Sequence, residues 1–132
     1  MDHTGLSAVE SLSGIYALVV DADGLRRETL ARILRYCGAY VQPAPSVERA
    51  LATVRHVMPD VLIADVDSQP TGFALIAGLR ALKPDDGGMV PAIALGPSAL
   101  EETARARGFN GYLVWPFAPW QLCRLVASVT AG

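Results

Sequence analysis

Five times along this chain an apolar run of strand length is followed by a segment carrying helix start and stop signals, and this alternation restricts the fold more than any other feature. Strands are expected over residues 15–20, 39–42, 61–64, 92–95 and 111–115. The first helix should span about 24–36, capped by Asp23 and stopped by Gly38. Ser46 is placed to cap a second helix reaching about residue 57, which Pro59 prevents from continuing. A third helix, about 72–82, runs into Lys83-Pro84-Asp85-Asp86-Gly87-Gly88, the clearest turn signal in the chain. Ser98 and Glu101 have capping-box spacing for a fourth helix ending at Gly108, and Pro119 sits as the first-turn proline of a fifth, ending near residue 130.

Right-handed crossovers turn five β-α units in order into a parallel sheet with helices on both faces. The strands alternate little between apolar and polar residues, as suits a sheet covered on both sides. A length of 132 residues supports one core and one domain, here assigned to 15–132, with 1–14 as a flexible N-terminal arm or with a short extra helix over 6–12. A net charge of −2 argues against a nucleic-acid partner, and no apolar stretch is long enough for a membrane span. Cys37 and Cys123 fall on two different expected helices with no motif around them, so they are expected to be reduced packing residues of a cytoplasmic protein. His3 and His56 have no partner pattern, and the pair Arg26-Arg27 is expected on a solvated helix face. The strand-to-helix loops lack a glycine-rich phosphate cradle and no nucleophile–base pair is visible, so an enzyme is not expected.

The chemistry concentrates at two strand ends. Asp21 closes the run Tyr16-Ala17-Leu18-Val19-Val20, and Asp65 closes Val61-Leu62-Ile63-Ala64. Two carboxylates at the carboxyl edge of a parallel sheet suggest a divalent-metal site.

Four stretches, Val19-Val20-Asp21-Ala22-Asp23, Leu62-Ile63-Ala64-Asp65, Pro91-Ala92-Ile93-Ala94-Leu95 and Gly111-Tyr112-Leu113-Val114-Trp115-Pro116-Phe117, occur in an order and spacing that resembles the receiver domain of bacterial response regulators over residues 15–130. The resemblance implies a flavodoxin-like (βα)5 three-layer sandwich with strand order 2-1-3-4-5. It implies that Asp65 is the phosphoacceptor and that magnesium is held by Asp21, Asp65 and the backbone carbonyl of Asp67, whose side chain could also contribute. The metal would relieve the repulsion between a carboxylate nucleophile and a phosphoryl group and orient in-line attack.

Three positions depart from the pattern. Ala22 stands where the family has a second acid, Gly96 where it has a hydroxyl residue, and Trp115 where it has a lysine. The one lysine, Lys83, falls in the loop after the third helix, at the opposite edge of the sheet. Asp23 is a cap before it is a rescuing ligand, and Ser68-Gln69-Pro70-Thr71-Gly72 is one residue short for the family's loop. Magnesium binding is therefore expected to be weak, and a phosphoryl group on Asp65 would lack its fixed cation. With Gly96, the inward pull on the aromatic Tyr112 is absent. Trp115, Phe117 and Trp120 form an aromatic cluster, with Trp115 placed to lid the pocket, and Tyr112, Phe117 and Trp120 are candidate interface residues. The expectation is a divergent receiver domain of a two-component or phosphorelay system. It would act mainly by contact with a histidine kinase, phosphotransfer protein or other signalling protein, with a homodimer through the helix 4–strand 5–helix 5 face also open. Two alternatives stand beside it: an active magnesium-dependent phosphoacceptor, and a flavodoxin-like small-molecule-binding module.

Overall fold

In the computed structural model, which describes residues 11–67 and 71–131, five strands alternate with five α-helices. In chain order these are β1 (Tyr16–Val20), α1 (Gly24–Tyr36), β2 (Tyr40–Ala44), α2 (Val47–His56), β3 (Val61–Asp65), α3 (Thr71–Arg80), β4 (Ala92–Gly96), α4 (Glu101–Ala106), β5 (Gly111–Val114) and α5 (Pro119–Thr130). The strands form one parallel sheet in the order β2-β1-β3-β4-β5. This is the expected three-layer flavodoxin-like arrangement.

Side chains leave the strands alternately to two cores. Leu18, Val20, Leu62, Ala64, Ala92 and Ala94 meet α2, α3 and α4 on one face. Ala17, Val19, Val61, Ile63, Ile93 and Leu95 meet α1 and α5 on the other. Leu12 is fully buried in that second core and its N–H donates to the Cys37 carbonyl, so residues 11–14 are anchored rather than a free arm; residues 1–10, including the helix considered over 6–12, lie outside the described residues.

The local signals act as expected at most ends. The Asp23 carboxylate accepts from the Arg26 N–H at 3.0 Å, the Ser46 hydroxyl accepts from the Arg49 N–H at 3.2 Å, and Gly38 and Gly108 close helices at positive φ. Ser98 does not cap: it opens a 3-10 turn, Ser98–Leu100, and α4 begins only at Glu101 without a side-chain cap. Trp115-Pro116 is cis.

The cysteines differ from expectation. Cys37, at the end of α1, and Cys123, on α5, are joined as a disulfide with Cα atoms 6.7 Å apart. They are 86 residues apart in the chain. They meet because α1 and α5 pack side by side on the same face of the sheet, which sequence spacing does not display.

At the sheet edge, Tyr40 and Ala44 direct their backbone groups to β1, so Val41 and Pro43 direct theirs outward. The Val41 carbonyl accepts from Arg35 at 3.5 Å, and the Pro43 carbonyl from the Gln42 amide at 3.2 Å.

Candidate functional site

β1 and β3 are central and parallel, with Val20 beside Ala64, so their next carboxylates arrive at the same edge. Asp21 is 3% exposed and Asp65 7%, and they are the buried charged residues of the core. Gly72 lets α3 start against Asp65: a Cβ there would collide with the Asp65 carbonyl and the Val66 side chain. The result is a cavity of about 220 Å3 lined by Asp21, Ala22, Asp23, Arg26, Asp65 and Thr71, among others.

The cavity is organised by Arg26, which had been expected to be solvated. Its Nε donates to Asp21 Oδ2 at 2.6 Å and its Nη2 to Asp21 Oδ1 at 3.0 Å, a bidentate fork. The same Nη2 reaches Asp65 Oδ2 at 3.3 Å. The Asp21 carboxylate raises the already high Arg26 pKa, mainly through its hydrogen bonds. The Asp23 N–H also donates to Asp21 Oδ1 at 2.9 Å, and Arg27 Nη1 donates to the Asp21 carbonyl at 2.7 Å. One signal in the sequence pointed to this. Arg26 and Arg27 lie in the first turn of α1, where the helix dipole disfavours cations, and two of them there outnumber the single cap carboxylate of Asp23. Such local conflict with the helix marks a long-range partner.

Ala22 supplies only a methyl group to the cavity wall. Asp67 is exposed and is not among the residues lining the cavity. No group of three or more His, Cys, Asp or Glu residues able to hold a metal occurs among the described residues. Among the described residues the two buried carboxylates are already held by a guanidinium, and the third in the lining, Asp23, is engaged in capping α1, a set that does not fit a resident magnesium ion. Of the expected ligands, Asp21 and Asp65 converge on Arg26, and Asp67 stands outside the cavity lining. The loop geometry expected for 68–72 falls largely on residues 68–70, outside the described ones.

The switch positions form a second group. A Cβ on Gly96 would lie 2.6 Å from the Tyr112 hydroxyl oxygen. Tyr112 is 7% exposed and donates to the Pro97 carbonyl at 2.5 Å. Burial, with Glu101, Asp67 and Asp65 adding negative potential, raises its pKa. The phenol therefore fills space that Gly96 leaves open.

Trp115 does not lid the cavity, since it lies outside the lining. Its ring is stacked on Phe117 at 4.4 Å between centroids, against the α1–α5 core. Trp120 is separate from that pair: it is 40% exposed and sits under the Arg124 guanidinium at 5.2 Å. Lys83 precedes a 3-10 turn between α3 and β4, at the edge where strands begin. No helix among the described residues is long and apolar enough to cross a membrane.

No protein-family model matches the chain. A 14.6 kDa uncharacterized protein of Leptolyngbya boryana, encoded 3′ of sodA1, is 38% identical over 122 residues, covering 89% of this chain and 92% of that one. A protein of Chloroflexus aurantiacus assigned as a response regulator is 30% identical, with a TM-score of 0.81, covering 89% of this chain and 98% of that one. The receiver domain of the sensor histidine kinase PA1611 from Pseudomonas aeruginosa is 24% identical with a TM-score of 0.77, covering 91% of this chain and all of that one, and was solved with magnesium in its active-site cleft.

Proposed function

The chain belongs to the response-regulator receiver family, and from that premise we propose that it is a two-component signalling module working mainly by protein–protein contact, with Asp65 a weak or vestigial phosphoacceptor. The observation that carries this reading is Tyr112 packed over Gly96 and hydrogen-bonded to Pro97. In the family this aromatic turns inward when a phosphoryl group draws the hydroxyl residue toward it. Here the inward place is occupied, with glycine rather than a hydroxyl residue at position 96 and tryptophan rather than lysine at 115. The surface beyond it is then presented in one state, whatever the chemistry at Asp65.

That surface suits a partner. A groove of about 420 Å3 on β5 and α5 is lined by Tyr112, Leu113, Trp120, Gln121, Arg124 and Leu125. Exposed Trp120 beneath Arg124 offers the aromatic and guanidinium chemistry that dominates interface energetics. Tyr112 contributes as a buried support, while Phe117 is committed to Trp115. We assign this face to a kinase, phosphotransfer or other signalling protein, and the cytoplasm as its compartment.

The test is intact-mass spectrometry with magnesium and acetyl phosphate, read beside amide NMR spectra and an Asp65→Ala control. Slow or absent gain of a phosphoryl group, with Leu113 and Trp120 resonances unmoved, is expected. Rapid, Asp65-dependent, stoichiometric gain with shifts across β5 and α5 would overturn the reading in favour of an active phosphoacceptor.

A further inference from the structure

We propose that Arg26 is the resident cation of this pocket: a covalently tethered guanidinium that takes the bridging place between Asp21 and Asp65 and so excludes a divalent metal. The inference deepens the reading above and rests on it.

Three observations carry it. First, the contacts are those of a bridging cation. One Nη2 is shared between Asp21 Oδ1 at 3.0 Å and Asp65 Oδ2 at 3.3 Å, while Nε holds the remaining Asp21 oxygen at 2.6 Å. Both oxygens of Asp21 are therefore occupied by Arg26. Second, the carboxylates are nearly dry, with side chains 1% and 6% exposed, whereas the Arg26 side chain is 27% exposed. Two buried negative groups at one sheet edge need a positive charge, and a planar fork supplies it in matching geometry. Third, Arg26 is anchored in place. It stands in the first turn of a helix whose cap, Asp23, accepts from the Arg26 N–H itself, and neighbouring Arg27 holds the Asp21 backbone carbonyl at 2.7 Å. Ala22 lines the same cavity and brings no further carboxylate to compete for the guanidinium.

A metal ion would have to displace a tethered cation from a bidentate pair before it could bind. Arg26 is a positioning residue in this scheme: it fixes both carboxylates and joins the start of α1 to the sheet edge. It also lowers the negative potential that would attract a divalent ion and engages one of the two Asp65 carboxylate oxygens, Oδ2.

The experiment is Mn2+ binding followed by electron paramagnetic resonance, with Mg2+ competition, on the full chain and on Arg26→Gln. The wild type should show no saturable site dependent on Asp21. Arg26→Gln should bind at least about ten times more tightly, as expected when a buried ion pair no longer competes, and adding Asp21→Asn should abolish the gain. A wild-type site of the same affinity as in Arg26→Gln would overturn the proposal. So would absence of binding in both, which would leave the contact-driven reading of the domain standing while removing Arg26 as its cause. Should Arg26→Gln fail to fold, the wild type alone decides. The Arg26 Nε–H resonance should be slow to exchange and unmoved by millimolar Mg2+, and its loss on adding Mg2+ would sink the idea.

Discussion

Tyr112 places its phenol against Gly96, at the end of β4. The raised pKa has a definite consequence at alkaline pH. A phenol harder to ionise in the folded state than in the unfolded one contributes stability that is complete below the unfolded value of 10.0 and is lost as pH rises through the folded one. Tyr112→Phe should remove part of that alkaline loss in denaturant titrations at increasing pH, and should cost about 1 kcal/mol at neutral pH for the bond to Pro97. An unchanged alkaline limb would refute the assignment. Residues such as Asp21, Asp65 and Gly96 were visible in the sequence because their strand ends are visible. The partners of Arg26 were not, because they lie five and 39 positions away, and only the fold brings the second within reach.

At the scale of the element, α1 shows how a cap and a site share residues. The Asp23 carboxyl is held below its ordinary pKa of 3.8, chiefly by the Arg26 N–H. A depressed carboxyl stabilises above the unfolded value, and the contribution is lost as pH falls through the folded one. Asp23→Asn keeps an acceptor without the titration, so its stability should fall less steeply in acid than the wild type's, as followed by circular dichroism. Arg80 does comparable work between elements. From the end of α3 it donates to the carbonyls of Gly88, Val90 and Gly108 and to the Asn110 side chain, over distances of 2.7–3.0 Å. It thus ties the entry of β4 to the turn before β5, and burial lowers its pKa. Arg80→Lys keeps the charge but not the planar fork, and should cost about 2 kcal/mol in chemical denaturation. Helix and strand order was legible from periodicity and punctuation. The start of α4 was not, since Ser98 had capping spacing yet the backbone there takes a 3-10 turn first. Nor was Arg80, whose acceptors are mostly backbone carbonyls, which carry no sequence signature.

The whole molecule is held across α1 and α5 by Cys37–Cys123. A link closing a loop of this length restricts the unfolded chain strongly, so reduction or a Cys37→Ser, Cys123→Ser pair should lower stability by roughly 2–4 kcal/mol. Thermal melts with and without reductant would read this directly. An unchanged melting temperature would show the bridge to be energetically silent. The staple and the Arg26 fork hold opposite ends of the same helix, so α1 is bound to its surroundings at both termini.

The outer border of β2 has a consequence for how copies of this protein meet. Pro43 offers no N–H to an incoming strand, and the outward carbonyls at positions 41 and 43 are already taken by the chain's own arginine and glutamine side chains. A neighbour therefore finds almost nothing to zip onto along that margin. Crowding should not drive these molecules into continuous sheets from this side, which leaves the opposite border, where β5 meets α5, as the margin open to company.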